Sequence, residues 1–260
     1  MKKKIYVVKI GGNVINDSIK LHQFLRAFQA LEGFKLLIHG GGAKATQWGD
    51  RLSLNTQMIE GRRVTDDQMI DVVTMVYAGL INKKIVAALQ AENCDAMGLS
   101  GVDANLIFSE KRRFEGIDYG WVGDPLFVNV VRLSTFIDLG LVPILAPITH
   151  EGQGNLLNTN ADTIANAVAS AMVKKYEVHL IYAFEQRGVM KDVQNPDSLI
   201  KSINHSYYLE LKANGFVSKG MIPKLDNAFQ ARANGVSKIC IIKFDKINRL
   251  NQGYDHTSII

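Results

Sequence analysis

The fold class is decided by a stretch near the start of the chain, Ile5-Tyr6-Val7-Val8-Lys9-Ile10-Gly11-Gly12. Its apolar run predicts a short buried strand that ends at two glycines. Apolar residues at helical spacing follow over 21–28, with Asp17 or Ser18 available as the helix cap. A second apolar run, 36–38, is closed by three more glycines. Strand, helix and strand in this order predict an α/β protein with a parallel sheet.

The rest of the chain continues this alternation. Buried strands are predicted at 142–146, 178–182 and 239–242. Helices are predicted over 164–172, 207–211 and 221–233, and a long one begins at a capping box formed by Thr65 and Gln68. The glycine-punctuated region 95–129 predicts hairpins laid over the sheet, and 155–160 predicts a polar loop. We expect two lobes, 1–175 and 176–260, that share one sheet.

Composition narrows the class of protein. The 260 residues are 47% apolar and 21% charged, which excludes disordered and collagen-like chains. The net charge of +5 is spread along the chain, so anionic small molecules are at least as plausible partners as nucleic acid. No apolar run is long enough for a signal peptide, and none approaches the ~18 residues of a membrane span. Two cysteines, Cys94 and Cys240, fit a reducing compartment. We expect a soluble cytoplasmic enzyme with neither nucleic-acid nor membrane partners.

Two glycine loops follow two strands that we expect to be neighbours. Gly11-Gly12 ends the first strand and Gly40-Gly41-Gly42 the second, so both lie at the carboxyl edge of the sheet, where open α/β folds bind ligands. Glycine lets backbone N–H groups approach phosphate oxygens closely. The pair therefore favours an anionic oligophosphate, although tight turns alone would also explain the glycines. Neither loop has the spacing of a P-loop or of the dinucleotide fingerprint.

Two lysines stand at unusual places. Lys9 closes an apolar strand, so its ammonium must reach the sheet edge and meet an anion or a carboxylate. Lys224 lies in the first turn of a predicted helix, where a cation opposes the helix dipole by ~0.3–1 kcal/mol. A functional reason is the sharper interpretation for both. The alternative is that both are solvated lysines.

A polar segment, Asn158-Thr159-Asn160-Ala161-Asp162, precedes the helix over 164–172. Helix capping needs one of its side chains. The others are free to act: Asn158 and Asn160 are candidates for contact with a polar substrate, and Asp162 for orienting cations. Arg63 offers a fork for a carboxylate, or belongs to an exposed arginine pair. Together these groups describe a site for phosphoryl transfer, which needs positive charge around donor and acceptor.

In their order along the chain, these motifs resemble the amino acid kinase family, and within it the kinases that phosphorylate N-acylglutamates. The segments that carry the resemblance are Val8-Lys9-Ile10-Gly11-Gly12, His39-Gly40-Gly41-Gly42, Gly61-Arg62-Arg63-Val64-Thr65, Gly98-Leu99-Ser100-Gly101-Val102-Asp103, Gly120-Trp121-Val122-Gly123, Asn158-Thr159-Asn160-Ala161-Asp162 and Gly220-Met221-Ile222-Pro223-Lys224.

The resemblance implies an open three-layer αβα sandwich with a mainly parallel central sheet. Its N-terminal lobe would bind the acyl amino acid and form the dimer, and its C-terminal lobe would bind ATP. The implied reaction is transfer of the γ-phosphoryl group of ATP to the side-chain carboxylate of an N-acyl-L-glutamate, N-acetyl by default, in arginine biosynthesis. Mg²⁺ would arrive with ATP, without ligands from the protein.

The resemblance also implies roles for single residues. Lys9 and Lys224 would stabilise the transferring phosphoryl group, and Asp162 would orient both. The backbones at Gly11, Gly12, Gly41 and Gly42 would hold phosphate oxygens and substrate. Arg63 and Asn158 would grip the α-carboxylate and the amide of the acceptor. The nucleotide-binding residues that the resemblance implies are Lys9, Gly11, Gly12, Gly188 and Lys224.

The chain departs from the family pattern in three places. Phe184-Glu185-Gln186-Arg187-Gly188-Val189 replaces the usual Thr/Ser-Asp-Val, so only Gly188 is carried over there. A polar segment replaces the helical tail after Ile242. The sequence begins at the first strand, without the helix that accompanies hexamers and arginine inhibition, so we expect an arginine-insensitive homodimer.

Alternatives stay open. Glutamate 5-kinase, aspartokinase, carbamate kinase and UMP kinase share the first glycine-rich strand end, and a non-catalytic metabolite sensor on the same fold is a further hypothesis. The acyl group, acetyl or a larger one such as succinyl, is not fixed by the sequence.

Overall fold

The structure is a computed structural model that describes residues 2–59, 61–114, 116–192, 194–195, 197–217 and 221–260. Gly220, quoted above with the motif that ends at Lys224, lies outside these residues. The strands are β1 (Lys4–Ile10), β2 (Phe34–His39), β3 (Met58–Ile59), β4 (Arg62–Arg63), β5 (Ala96–Ser100), β6 (Ile107–Lys111), β7 (Val122–Val128), β8 (Val142–Ala146), β9 (Ile148–His150), β10 (Leu156–Thr159), β11 (Glu177–Phe184), β12 (Ser202–Ile203), β13 (Lys238–Lys243) and β14 (Thr257–Ile259).

The helices cover both faces of the main sheet. They are α1 (Gly12–Asn16), α2 (Ser18–Gln29), α3 (Gly42–Arg51), α4 (Asp67–Thr74), α5 (Asn82–Ala91), α6 (Val130–Asp138), α7 (Ala161–Met172), α8 (His205–Ala213) and α9 (Ile222–Ala233). A π-helical segment, Met75–Ile81, joins α4 to α5, and 3₁₀ turns lie at Asp103–Asn105 and Phe244–Gln252.

One eight-stranded sheet runs through both halves of the chain, in the order β12-β14-β13-β11-β1-β2-β8-β5. Its strands are parallel except where β14 pairs antiparallel with β13. Alternate residues of β1 enter opposite cores: Ile5 and Val7 belong to one apolar cluster, Tyr6 and Val8 to the other. The predicted three-layer αβα architecture with a mainly parallel central sheet is confirmed.

A second, closed sheet is built from β10, β7, β6 and β9. The predicted hairpin is present as antiparallel β6 and β7, but β5, placed in the same hairpin region, is an edge strand of the main sheet. The prediction of a polar loop at 155–160 is wrong. Residues Leu156–Thr159 form a strand because Asn158 pairs with Val122 on one side and Ile148 on the other, contacts that local composition does not reveal.

The long helical run Asp67–Ala91 begins one residue later than the capping box predicts. Asp66 is the cap, accepting a hydrogen bond from the backbone of Met69 at 2.8 Å. Thr65 is occupied elsewhere: its hydroxyl bonds to Arg63 and Asn158. Short polar residues compete for this role, and here the aspartate wins because the threonine side chain points into the protein.

Contrary to our expectation, one helix among the described residues, Asp67–Ala91, is long and apolar enough to cross a membrane by length and composition. Its most apolar window has a mean hydropathy of 1.5 and is 44% buried inside the protein. This is weak evidence for a membrane, because core helices pass the same test. Met69, Val73 and Ile85 of this run lie fully within the core beside the sheet.

The segment after β13 is more structured than its polar composition indicates. The 3₁₀ turns at Phe244–Gln252 place Ile247 in the core, and β14 then inserts between β12 and β13. The side chain of Thr257 accepts from the backbone of Val189 at 2.7 Å and donates to Ile200 at 2.6 Å. The end of the chain therefore fastens the segment that follows β11.

Candidate active site

The two predicted glycine loops lie side by side at the carboxyl edge of the sheet. β1 and β2 are parallel neighbours in register, with Ile10 opposite His39. The backbone of Gly40 donates to the carbonyl of Ile10 at 3.1 Å, which ties the second loop to the end of the first strand. Parallel pairing thus brings together loops that are almost thirty residues apart in sequence.

The glycines of these loops have different surroundings. At Gly11, Gly12 and Gly42, a Cβ would have no described protein atom within 4 Å, so packing does not demand glycine and the backbone is open to a ligand. At Gly41, a Cβ would lie 2.5 Å from Cδ1 of Ile81 and 2.8 Å from Cδ1 of Tyr77. The loop therefore needs a glycine at Gly41 because the π-helical segment packs directly against it.

His39 supports the second loop from inside the protein. Its ring is fully buried, and the burial lowers its pKa to about 4, so the imidazole is neutral. Nδ1 lies 2.9 Å from the carbonyl of Gly40, and Nε2 lies 3.2 Å from Nδ2 of Asn82. A neutral ring donates through Nδ1 and accepts through Nε2 in this arrangement. Sequence reasoning assigned His39 only to a motif and missed Asn82.

Lys9, Lys224 and Asp162 meet at one carboxylate oxygen. Nζ of Lys9 lies 2.7 Å and Nζ of Lys224 lies 3.0 Å from Oδ1 of Asp162. Lys9 comes from the end of β1, Asp162 from the first turn of α7 and Lys224 from the first turn of α9. All three side chains are at most 15% exposed, so solvent screens the interaction weakly.

The three charges shift one another's titration. Burial alone would raise the pKa of Asp162, but the ammonium charges of Lys224 and Lys9 hold it well below its usual range. Burial lowers the pKa of Lys224 to about 8, although the charge of Asp162 opposes this shift. The cluster carries one excess positive charge when both lysines are protonated, which suits a phosphoryl group.

Tyr182 lies beneath this cluster, and sequence reasoning read it only as part of a buried strand. It is opposite Lys9 in the register of β1 with β11, and its ring centroid is 4.9 Å from Nζ of Lys224. The face of an aromatic ring attracts a cation, so Tyr182 stabilises the charged form of Lys224. Burial raises the pKa of the Tyr182 hydroxyl far above its ordinary value.

At the other end of the pocket, Arg63 is buried with only part of its fork in use. Nη2 donates to the carbonyl of Gly42 at 2.9 Å and to the hydroxyl of Thr46 at 2.6 Å. Nε and Nη1 are buried without a hydrogen-bond partner among the described residues. Donors left unpaired in a protein interior cost about 1–3 kcal/mol each, so they point to an acceptor that a ligand supplies. Tyr77, beside Arg63, lines the same pocket and was also missed.

Asn158 and Asn160 occupy different roles in the structure. The Oδ1 atom of Asn160 caps α7, accepting from the backbones of Asp162 and Thr163 at 2.8 and 3.1 Å. Only its amide nitrogen is left for a ligand. Asn158 donates from Nδ2 to the hydroxyl of Thr65 at 3.0 Å and has its Oδ1 without a partner among the described residues. Both line the pocket.

One cleft gathers most of the predicted residues. Its lining comprises Lys9, Gly12, Gly40, Gly41, Gly42, Met58, Gly61, Arg62, Arg63, Tyr77, Val122, Pro147, Asn158, Thr159, Asn160, Ala161 and Asp162. Lys224 is not part of this lining, but its Nζ contacts Oδ1 of Asp162, which is. Gly188 lies elsewhere: a Cβ there would be 2.4 Å from the hydroxyl of Thr257, which gives this glycine a packing reason, and its contact with a nucleotide stays a prediction.

The described residues contain no group of three or more His, Cys, Asp or Glu side chains arranged to hold a metal ion. The carboxylate of Asp162, which lines the cleft, already contacts the ammonium groups of Lys9 and Lys224. Among the described residues, the site therefore offers no donor set of this kind for a resident metal.

Comparison with known proteins places this chain in a family. The sequence profile of the amino acid kinase family matches residues 4–243. The chain belongs to the amino acid kinase family. The predictions of this family, of its αβα fold and of an ATP-dependent phosphotransferase are thereby confirmed.

Two curated relatives from this family cover almost the whole chain. The acetylglutamate kinase of Cytophaga hutchinsonii is 47% identical over 95% of this chain and 94% of its own length. The acetylglutamate kinase of Bacteroides fragilis is 48% identical over 93% of this chain and 92% of its own length.

Among solved structures, N-acetylglutamate synthase from Neisseria gonorrhoeae, complexed with coenzyme A and N-acetyl-glutamate, superposes with a TM-score of 0.82. The superposition covers 99% of this chain and 59% of the Neisseria gonorrhoeae chain, at 19% sequence identity. This likeness shows the fold alone.

Proposed function

We propose that this chain transfers the γ-phosphoryl group of ATP to the side-chain carboxylate of an N-acyl-L-glutamate, N-acetyl-L-glutamate by default, in arginine biosynthesis. The curated relatives support this function, since they are acetylglutamate kinases of nearly the same length. The observation that carries the chemistry is the single carboxylate of Asp162 held between two buried ammonium groups.

The phosphoryl end of the site is formed by Lys9, Lys224 and the backbone at Gly11 and Gly12. An oxygen of the acceptor carboxylate forms a bond to the γ-phosphorus, the bond from that phosphorus to the β,γ-bridging oxygen breaks, and the electron pair leaves with ADP. The lysines stabilise the charge on the oxygens of the migrating group, and Asp162 keeps both in place. The acceptor is ionised near neutral pH, so no proton transfer is required.

The acceptor end is formed by Arg63, Asn158, Asn160 and the backbone at Gly41 and Gly42. Nε and Nη1 of Arg63 have no partner among the described residues, and each can donate to an oxygen of a ligand carboxylate. The free Oδ1 of Asn158 suits the amide N–H of an acylated amino group. Both groups lie in the cleft that also contains Lys9 and Asp162.

ATP is assigned to the C-terminal lobe, 176–260, and the acyl amino acid to the N-terminal lobe, 1–175. Mg²⁺ enters as part of the substrate MgATP, and the described residues hold no cluster of metal ligands of their own. Gly188 stays the proposed nucleotide contact after β11. A homodimer through the long helical run Asp67–Ala91 and a cytoplasmic location complete the proposal; light scattering that gave a hexamer or a monomer would contradict the dimer.

A panel of acceptors tests the function. ADP release is measured with MgATP and N-acetyl-L-glutamate, N-succinyl-L-glutamate, L-glutamate, L-aspartate, carbamate or UMP. We expect kcat/KM for one of the acylglutamates to exceed that for every unacylated acceptor by about 100-fold or more, because only acylation supplies the neutral amide that Asn158 faces. Turnover with another acceptor alone would assign the chain to a different activity of the family.

Replacement of Lys9 separates an enzyme from a metabolite sensor. Lys9→Met should lower kcat by about 10²-fold or more, because it removes a charge from the transition state. A sensor would need binding but no turnover, and its output in cells would survive the replacement. Arginine prototrophy of a strain that carries only the Lys9→Met variant would contradict the enzyme assignment.

A further inference from the structure

Thr65 lies fully buried between two residues of the acceptor end, and its polar atoms are all engaged. Its backbone N–H donates to the carbonyl of Tyr119 at 2.9 Å, and its carbonyl accepts from the N–H of Trp121 at 2.6 Å. A Cβ on Gly120 would lie 2.2 Å from the carbonyl oxygen of Thr65, so the neighbouring chain is pressed against it. The position of Thr65 is therefore fixed by its backbone.

The hydroxyl of Thr65 has one proton, and the structure shows where that proton goes. Oγ1 donates to the carbonyl oxygen of Arg63 at 2.9 Å. A carbonyl can only accept, so Oγ1 keeps only lone pairs for its other neighbour. That neighbour is Asn158, whose Nδ2 donates to Oγ1 at 3.0 Å.

This direction of hydrogen bonding fixes the amide of Asn158. The oxygen and nitrogen of an asparagine amide are nearly equal in size, so shape alone does not decide which of them faces the pocket. A rotated amide would set an oxygen against the lone pairs of Oγ1 and would leave the bond unmade. With Thr65 in place, Asn158 presents an acceptor, Oδ1, to the ligand.

We propose that Thr65 is a positioning residue that, through Asn158, makes this site select acceptors with an N–H at the α-position over acceptors with an oxygen there. The proposal rests on the proposed function and adds a source of its specificity. An ester in place of the amide has no proton to give, and its oxygen lone pairs face Oδ1. A buried polar group without its partner is penalised strongly, so the ester is rejected.

The test compares N-acetyl-L-glutamate with its ester analogue, 2-acetoxyglutarate, in the wild type, Thr65→Val and Thr65→Ser. We expect the wild type to favour the amide in kcat/KM by about 10²-fold. In Thr65→Val, which keeps the branched shape and loses the hydroxyl, the preference should fall below about 10-fold, while KM for ATP changes less than about twofold. Thr65→Ser keeps the hydroxyl and should retain a preference within about threefold of the wild type.

The two variants separate hydrogen bonding from packing. If Thr65 acted by filling space, the serine variant would be the more damaged and the valine variant would keep the amide preference; that result overturns the proposal. Asn158→Ala should remove most of the preference, and adding Thr65→Val to it should change the ratio no further. Thermal unfolding of each variant monitors the fold, and Thr65→Ala, which removes the same hydroxyl, replaces the valine variant if that one does not fold.

Failure of this inference is distinguishable from failure of the proposed function. A wild type that phosphorylates N-acetyl-L-glutamate, with a preference that Thr65→Val leaves unchanged, overturns the role of Thr65 alone. A wild type that phosphorylates only an unacylated acceptor overturns both.

Discussion

The two ends of the cleft are prepared for their ligands in opposite ways. At the phosphoryl end, Lys9, Lys224 and Asp162 satisfy one another through contacts of 2.7 and 3.0 Å before a ligand is bound. At the acceptor end, Arg63 keeps two buried donors and Asn158 one oxygen without partners among the described residues. The first end is preorganised for charge stabilisation, which every transferred phosphoryl group needs. The second is completed only by the matching acceptor, so it is where discrimination arises.

Asp162→Asn should break the preorganised end and have the largest effect. Two buried ammonium groups then face each other without a counter-charge, so we expect kcat to fall by about 10²- to 10³-fold and the protein to lose about 3–5 kcal/mol of stability. Steady-state kinetics and chemical denaturation measure both. Asp50→Asn, at an exposed carboxylate on α3, is the matched control. Full activity of the Asp162 variant would show that the two lysines do not need their shared partner.

Arg63→Lys should damage the open end and leave the other intact. A lysine keeps the charge but not the fork, so we expect KM for the acceptor to rise about 10- to 100-fold while KM for ATP changes less than about twofold. The exposed Arg113→Lys serves as control. An equal rise of both KM values would mean that the two ends are not separate.

The pH dependence sharpens the contrast, because Lys224 belongs to the phosphoryl end. Burial lowers the pKa of Lys224 to about 8. We therefore expect kcat/KM for ATP to fall about tenfold per pH unit above pH 8 as Lys224 loses its proton. Lys224→Arg, although less active, should lack this fall since its side chain stays charged. A wild-type profile flat to pH 9.5 would contradict the assignment.

The same shift has a consequence for stability, with the sign fixed by proton binding. Between about pH 8 and the ordinary value of 10.5, the unfolded chain holds the Lys224 proton and the folded chain has released it. The free energy of unfolding therefore gains a contribution that rises with pH across this window. The difference between the wild type and Lys224→Met, measured by denaturation at several pH values, isolates it.

Gly41→Ala should give the smallest effect. It tests how closely the π-helical segment Met75–Ile81 packs against the second glycine loop. A methyl group there collides with Tyr77 and Ile81, so we expect a loss of about 1–3 kcal/mol and a fall of several degrees in Tm. Gly42→Ala, with no described atom near its Cβ position, should leave Tm almost unchanged. Equal losses in both variants would mean that the π-helical segment does not press on the loop.

Much of the phosphoryl end can be predicted from the sequence, because its signals are local. A lysine that closes an apolar strand and a lysine in the first turn of a helix are each anomalous on their own. The acceptor end is harder to predict. Tyr77 and Thr65 have the apolar spacing or capping pattern of ordinary helix residues. Tertiary contacts place Tyr77 in the lining of the cleft and Thr65 against Asn158.

The incorrect predictions about the fold have the same cause, because they concern residues whose structure depends on tertiary contacts. Asn158 looks like part of a polar loop, yet the pairing with Val122 and Ile148 makes it a strand residue. The polar segment after Ile242 contains no strong pattern, and β14 forms there because β12 and β13 leave a gap that it fills. Local propensity carries no information about such partners.

The position of β1 at the middle of the sheet affects how the protein is made. One edge of β1 pairs with β2, which follows about thirty residues later in the sequence. The other edge pairs with β11, where Ile5 lies opposite Val178. During synthesis this second edge stays exposed until about 180 residues have been translated. Until then the ribosome carries a hydrophobic strand open to any other strand, so a chaperone that shields nascent chains should raise the yield of native protein.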